Sequence, residues 1–317
     1  MAPAGRGGGA QEPCRRPPVV TDRSESRFLE VDGYRIYVRT FSPPRPKATL
    51  LCVHGGPGGT HDYLLPLADL TRAGYRVVFY DALGCGRSDL PPTTELFSLE
   101  HDLVVLDEVR RSLRSDRIHL MGSSYGGMLV LAYAADHSDV LSSLNSTGGL
   151  SDIPLTVREM HRLVRGLPAR TQATLRKYAA RGEYHHPDYE AAAMEFYHRH
   201  VCRLSPWPEP LVSTLVRTSR PVYETMNGPN EFTIIGTMRS TVITGRLRRI
   251  AVPTLLIHGR YDEVTPVVGE VVHRNVPGSF LHIFPESSHT SFWEQRPEYM
   301  RLAAGFLGMA DRVGRAG

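Results

Sequence analysis

Short apolar runs alternate with amphipathic stretches along the first half of the chain. Residues 48–53 form a continuous apolar run, which predicts a strand covered on both faces, and residues 75–80 and 117–121 predict two further strands. Three further stretches have the apolar spacing of helices, at residues 62–72, 99–113 and 125–135. A strand at residues 140–145 extends the series. This alternation predicts an α/β fold, with a mostly parallel central sheet and helices on both faces.

The alternation is interrupted between residues 150 and 248, where the pattern is mostly helical. The helices predicted there span residues 157–166, 169–181 and 189–200. The elements predicted after them are strands at 254–257 and 280–284 and helices at 265–275 and 296–307. We therefore expect a core built from residues 22–149 and 249–317, with residues 150–248 inserted as a helical cap.

The N-terminal region divides into a tail and a hairpin. Residues 28–40 alternate apolar and polar positions around Asp32-Gly33, which predicts a β-hairpin. Residues 1–21 are rich in Gly, Pro and Arg, and we expect disorder there because they bury too little apolar surface to offset the entropy of ordering. They lack the apolar centre of a signal peptide. No stretch approaches the roughly 18 apolar residues of a membrane span.

Composition and charge narrow the class of protein. The 317 residues, 41% hydrophobic and 22% charged, are enough for one catalytic domain with an insertion. The net charge of +4 comes mainly from Arg residues scattered among acidic ones, so we expect no nucleic-acid-binding surface. The four cysteines form no C-x-x-C pair, which argues against zinc or a redox dithiol. Free thiols fit a reducing compartment, and we expect a cytoplasmic location.

The strongest chemical signal is Gly122-Ser123-Ser124-Tyr125-Gly126, which fits the pattern G-x-S-x-G. A predicted strand precedes it and a predicted helix follows it, as the motif requires. The sharp strand-to-helix turn lifts the central serine out of the sheet, and the two glycines allow close packing. The pattern therefore indicates Ser124, and not Ser123, as a nucleophile.

A serine nucleophile needs a base, and the base needs an acid to orient it. In this arrangement both partners follow the serine along the chain, on loops after later strands. Asp262 follows the strand at 254–257 and is the favoured acid, with the adjacent Glu263 as its rival. His289 follows the last strand and is the favoured base. His258 and His282 lie within or at the end of strands, where a structural role is expected.

A glycine-rich loop, His54 to Gly59, follows the first buried strand. Such a loop can offer a backbone N–H to an oxyanion, and we expect the donors to be Gly56 and Tyr125. No Gly-Lys-Ser/Thr follows the loop, so it is not predicted to bind phosphate. The chemistry needs no cofactor. The remaining histidines that invite a metal interpretation lack metal-site spacing, so no metal is expected; they are His185, His186, His198 and His200.

Taken together, these motifs resemble the proline iminopeptidase family of α/β hydrolases. The segments that carry the resemblance are HGGPGG, DALGCGRSD, GSSYGG, HGRYDEVTP and ESSH, in that order, and it covers the chain from about residue 28. The segments MGSSYGGMLVLAYA and MNGPNEF are most similar to the branch of tricorn-interacting aminopeptidases and amino-acid amidases. The resemblance implies an α/β-hydrolase fold and a serine aminopeptidase or amidase.

The family resemblance also implies how a substrate is held. Glu231 in the MNGPNEF segment and Glu263 would bind the free α-amino group of a short peptide or amino-acid amide, and Tyr223 would help to line that pocket. A buried ammonium requires such a paired counter-charge. Proline or another small apolar residue is the expected N-terminal residue.

Two alternatives stay open at the level of sequence. One is a biosynthetic hydrolase on the same scaffold, such as an amidase, a thioesterase or an epoxide-opening enzyme, because a fold does not fix a function. Ser124 argues against the epoxide-opening variant, which usually has Asp at the nucleophile position. The other is a non-catalytic small-molecule receptor that retains the hydrolase pocket.

Overall fold

A computed structural model describes residues 24–316, and the predicted N-terminal tail lies outside them. Its centre is a single eight-stranded sheet. The strands are β1 Ser24–Val31, β2 Tyr34–Phe41, β3 Ala48–Val53, β4 Tyr75–Tyr80, β5 Ile118–Ser123, β6 Leu141–Thr147, β7 Thr254–Gly259 and β8 Phe280–Phe284. Their order across the sheet is β1-β2-β4-β3-β5-β6-β7-β8.

The sheet is antiparallel at one edge and parallel elsewhere. Strands β1 and β2 form the predicted hairpin around Asp32 and Gly33, and β2 pairs antiparallel with β4. All remaining pairs, from β4 to β8, are parallel. The carboxyl ends of these strands therefore lie at one edge of the sheet, where loops that are distant in sequence converge.

Both faces of the sheet are covered, because the buried strands are apolar on both sides. Leu51 and Val53 belong to a core cluster that includes α2, whereas Leu50 and Cys52 belong to a second cluster on the opposite face, which includes the C-terminal helix. The helices that flank the core are α1 Leu99–Ser112, α2 Tyr125–Asp136, α8 Pro266–Asn275, α9 Ser291–Glu294 and α10 Arg296–Ala316. The mostly parallel sheet flanked by helices is confirmed.

The segment between β6 and β7 is helical, with two helices that the pattern did not predict. Its helices are α3 Ile153–Arg165, α4 Ala169–Ala179, α5 Pro187–His200, α6 Glu209–Arg217 and α7 Arg220–Met226. The last two are short and begin with Pro at an early position, where proline is compatible with a helix although it reads as a break in the sequence. The helix predicted at residues 62–72 is a 3-10 helix, His61–Ala73, with Pro66 inside it.

The described part of the chain contains no helix that is long and apolar enough to cross a membrane.

The contribution of the buried helix α2 to the stability of the protein can be measured. Leu131 is fully buried in the middle of α2. We expect Leu131→Ala to lower the free energy of unfolding by about 2–5 kcal/mol, because it removes apolar contacts and leaves a cavity. Val216→Ala, at a position that is 81% exposed, should change it by less than about 0.5 kcal/mol. Denaturant titration measures both, and equal effects would contradict this description of the core.

Candidate active site

Ser124 occupies a strained turn between β5 and α2. Its φ of 59° and ψ of −125° are unusual for a residue with a side chain. The turn is possible because the residues two positions before and after Ser124 are glycines. A Cβ on Gly122 would lie 2.0 Å from the carbonyl oxygen of Gly126, and a Cβ on Gly126 would lie 2.4 Å from that of His54. The half-buried Ser124 lines two of the cavities described below.

Asp262 and His289 meet although they come from different loops. Asp262 lies between β7 and α8, and His289 lies between β8 and α9. Their carboxylate Oδ1 and imidazole Nδ1 are 2.6 Å apart, and both side chains are buried. The backbone N–H of Val264 donates a second hydrogen bond to the same oxygen, at 2.8 Å. Asp262 can therefore fix the tautomer and the orientation of the ring.

The other ring nitrogen of His289, Nε2, is buried. Among the described residues, Nε2 has no hydrogen-bond partner. His289 and Ser124 line the same cavity, which also includes Glu263. Gly148, with a φ of 56°, makes room for the ring, since a Cβ there would lie 2.5 Å from Cε1 of His289. A ring nitrogen without another partner, in the same cavity as a hydroxyl that needs a base, is suited to general-base chemistry.

The glycine-rich loop after β3 lies against the Ser124 turn. Gly56 lines one cavity together with Ser124 and Tyr125, the residue that begins α2. The side chain of His54 supports the loop, because its ring contacts the carbonyl oxygen of Gly55 at 2.9 Å and accepts a hydrogen bond from the N–H of Ala82. The two expected oxyanion donors, Gly56 and Tyr125, thus border the same space.

Two supporting residues were missed by the sequence analysis. The hydroxyl of Tyr63 accepts a hydrogen bond from the N–H of Gly55 at 2.8 Å and so holds the glycine-rich loop. The hydroxyl of Tyr125 donates to the buried Asp102 at 2.6 Å. Burial raises the pKa of Asp102 to about 7, although the bond from Tyr125 opposes this shift. The partners of the two pairs are 8 and 23 residues apart in sequence, and no local motif marks either pair.

Two further carboxylates lie beside the candidate base. Glu263 is buried, and its Oε1 is 3.8 Å from Nε2 of His289. Its other oxygen has no hydrogen-bond partner among the described residues. Glu231 is half-buried and accepts a hydrogen bond from the hydroxyl of Tyr223 at 2.8 Å. The structure thus brings together the three residues that the resemblance linked to an amine.

These charges perturb one another. Burial raises the pKa of Glu231, and burial together with the charge of Glu231 raises the pKa of Glu263 well above its usual range. Burial alone would lower the pKa of His289. The negative charges of Asp262, Glu263 and Glu231 outweigh that effect and raise its pKa to about 10.

Three cavities meet at Glu231. The smallest, about 20 Å³, contains Ser124 and is lined mainly by apolar side chains, including Ile153, Met160 and Met238. A second, about 80 Å³, contains Ser124, His289 and Glu263. The largest, about 540 Å³, lies among the inserted helices and is rich in tyrosine. Glu231 thus lines both the cavities that contain Ser124 and the large cavity among the helices between β6 and β7.

The histidines that invited a metal interpretation have other contacts. The ring of His198 packs edge-on against Trp207, and Nδ1 of His200 is 2.8 Å from the carbonyl oxygen of Tyr261. Within residues 24–316, no group of three or more His, Cys, Asp or Glu side chains is arranged to hold a metal ion.

Comparison with known proteins assigns the chain to a family. A family model for the α/β-hydrolase fold matches residues 48–295. Proline iminopeptidase of Thermoplasma volcanium is 44% identical over 287 residues, which cover 90% of this chain and 97% of that protein. Proline iminopeptidase of Saccharolobus solfataricus is 42% identical over 285 residues, covering 89% and 92%. The crystal structure of proline iminopeptidase from Mycobacterium smegmatis is 32% identical, with a TM-score of 0.86, covering 92% and 100%.

The sheet order and the strand–turn–helix at Ser124 define an α/β hydrolase. Within that class, the chain belongs to the proline iminopeptidase family. The resemblance stated from the sequence motifs is confirmed.

The glycines of the turn give a direct test of this geometry. We expect Gly126→Ala to slow the reaction of Ser124 with a fluorophosphonate by about 100-fold, because a displacement of about 1 Å at a reacting group has an effect of that size. Gly305→Ala is the matched control, since a Cβ at that position in α10 meets no atom within 4 Å. Equal labelling rates in the two variants would contradict the close packing around Ser124.

Proposed function

We propose that this protein is a serine aminopeptidase that releases the N-terminal residue of short peptides, or of amino-acid amides, through an acyl-enzyme. The observation that carries the proposal is the presence of Glu231 and Glu263 in the cavity that also contains Ser124 and His289. A buried and a half-buried carboxylate beside the reacting groups suit a substrate with a free ammonium group. The family relatives named proline iminopeptidase support the same activity.

In the proposed mechanism, Ser124 is the nucleophile, His289 the base and Asp262 the acid that orients it. Nε2 of His289 takes the proton of the Ser124 hydroxyl as the oxygen attacks the substrate carbonyl. The backbone N–H groups of Gly56 and Tyr125 stabilise the oxyanion. His289 then protonates the leaving amine, and water hydrolyses the acyl-enzyme by the same route.

Substrate selection is proposed to involve the inserted segment. Residues 150–248 would act as a cap over the reacting groups, because they contribute Ile153, Met160 and Glu231 to the cavity beside Ser124. The apolar lining of that cavity favours proline or another small apolar side chain at the N-terminus. Glu231, held by Tyr223, would fix the ammonium at a set distance from Ser124 and so exclude internal peptide segments.

We also propose a cytoplasmic location. The support is that Cys52, Cys85 and Cys202 are all buried free thiols, as expected for a protein from a reducing compartment. The expected partner is a small substrate rather than a nucleic acid. Neither the biosynthetic-hydrolase nor the receptor alternative is favoured by the named relatives.

Removal of the nucleophile tests the reaction type. We expect Ser124→Ala to lower kcat on prolyl 4-nitroanilide by at least about 10⁴-fold, since loss of a nucleophile in such a triad has effects of this size. Ser123→Ala is the matched control, because its buried hydroxyl has no hydrogen-bond partner among the described residues, and it should retain activity. Loss of activity in the control alone would refute the assignment of Ser124.

Replacement of the amine-binding carboxylate tests substrate selection. We expect Glu231→Gln to reduce kcat/KM for prolyl 4-nitroanilide by about 100-fold, corresponding to about 2.7 kcal/mol of lost ion pairing with the ammonium. The same substitution should not reduce kcat/KM for N-acetylprolyl 4-nitroanilide, which has no ammonium. Similar losses on both substrates would remove the proposed role of Glu231.

A further inference from the structure

The candidate base is surrounded by more negative charge than a triad requires. Asp262 contacts Nδ1 of His289 at 2.6 Å, and Glu263 approaches Nε2 to 3.8 Å. Glu231 lines the same cavity as both Glu263 and His289. Three carboxylates thus face one imidazole in a poorly solvated space. Such a cluster favours an additional bound proton, for which Glu263 and His289 compete because the pKa of each is raised.

The other titratable groups near the His289 ring do not offset the negative charge of these three carboxylates. His258, at the end of β7, has its Nδ1 2.9 Å from the carbonyl oxygen of Val264 and 3.8 Å from Asp262, and burial lowers its pKa, which favours the neutral form. His200, on α5, accepts the backbone N–H groups of His289 and Glu263 on its carbonyl oxygen, and burial lowers the pKa of its ring. Glu294, on α9, adds a carboxylate that accepts hydrogen bonds from Ser288.

A protonated imidazole cannot act as the base. With a proton on both nitrogens, His289 has no lone pair to receive the proton of the Ser124 hydroxyl. A doubly protonated His289 would therefore have to lose one proton before the attack. An incoming ammonium group would supply the missing positive charge beside Glu231 and Glu263, and so weaken the hold of the cluster on its own proton.

We propose that binding of the substrate's ammonium group expels one proton from this cluster and thereby converts His289 into a neutral base. The inference rests on the proposed aminopeptidase function and adds a second role for the two glutamates. In the step itself, one N–H bond of the imidazolium breaks, its electron pair stays on Nε2, and the proton passes to solvent. The cluster loses one positive charge with this proton and gains one with the bound ammonium, so its net charge stays the same.

This arrangement makes selection for a free amine act on catalysis as well as on binding. A substrate without the amine reaches a site whose base is still protonated at neutral pH. A substrate with the amine generates its own base on arrival. The difference should therefore appear in kcat, which reports protonation in the enzyme–substrate complex, and not only in KM.

The protonation state of His289 can be measured directly. In protein with ¹⁵N-labelled histidine, NMR should show both nitrogens of His289 protonated at pH 7 in the free enzyme. Saturation with prolinol, an amine that cannot be hydrolysed, should leave only one nitrogen protonated. Cyclopentanemethanol, the matched compound without the amine, should cause no change. A neutral ring in the free enzyme, or a ring that stays doubly protonated with prolinol, would overturn the inference.

Kinetics provide the second arm. We compare the pH at which kcat is half of its maximum for two esters. For prolyl 4-nitrophenyl ester, we expect this pH to be at least about one unit lower than for the cyclopentanecarboxylate ester, which lacks the amine. Glu263→Gln should raise kcat for the cyclopentanecarboxylate ester at pH 7 by several-fold, up to about tenfold, because removal of a negative charge lowers the pKa of His289. Glu270→Gln, at an exposed position on α8, should leave both pH profiles unchanged. Coincident profiles for the two esters would overturn the inference.

The two proposals fail in different ways. If prolyl substrates are not hydrolysed, or are hydrolysed without Ser124, the proposed function is wrong. If they are hydrolysed through Ser124 but prolinol releases no proton from His289, only the coupling between amine binding and the base is wrong.

Discussion

The geometry of the site rests on a close approach of backbones at the end of β5. Side chains are excluded at Gly122 and Gly126 because the space they would need is filled by the backbone of neighbouring segments. That exclusion allows the turn that presents Ser124 at the carboxyl edge of the parallel sheet. The same edge receives the loops after β7 and β8, which carry Asp262 and His289. The parallel topology therefore brings together three side chains that are far apart in sequence.

Burial gives the assembled residues their chemical character. Carboxylates and an imidazole that lie together in a poorly solvated cavity shift one another's pKa, and the pKa of both Glu263 and His289 is raised. Glu231 comes from the inserted helical segment, whereas Glu263 is adjacent to Asp262 on the core. A substrate amine would thus be held between two parts of the fold. In the proposed mechanism, the segment between β6 and β7 would set the substrate preference, while the reacting groups lie on the turn and loops that follow β5, β7 and β8.

The sequence was most informative where function requires a local motif. The strands, the Ser124 turn and the loops that carry Asp262 and His289 could all be predicted, because buried parallel strands are apolar throughout and each loop directly follows a strand. Helices α6 and α7 could not, since they are short and begin at prolines. The contacts Tyr63–Gly55 and Tyr125–Asp102 were also missed, because they depend on how separate segments pack together and not on a local motif. Glu231 was indicated only by the family resemblance, since a lone loop carboxylate has no distinctive pattern.

The central claim is that Ser124 attacks a substrate whose free amine is held by nearby carboxylates. An aminoalkyl phosphonate diphenyl ester derived from proline tests both halves of this claim at once. Mass spectrometry of peptides from the treated protein should locate the phosphonyl group on Ser124, and the N-acetylated form of the reagent should react far more slowly. Modification of a different residue, or equal rates for the two forms, would contradict the account.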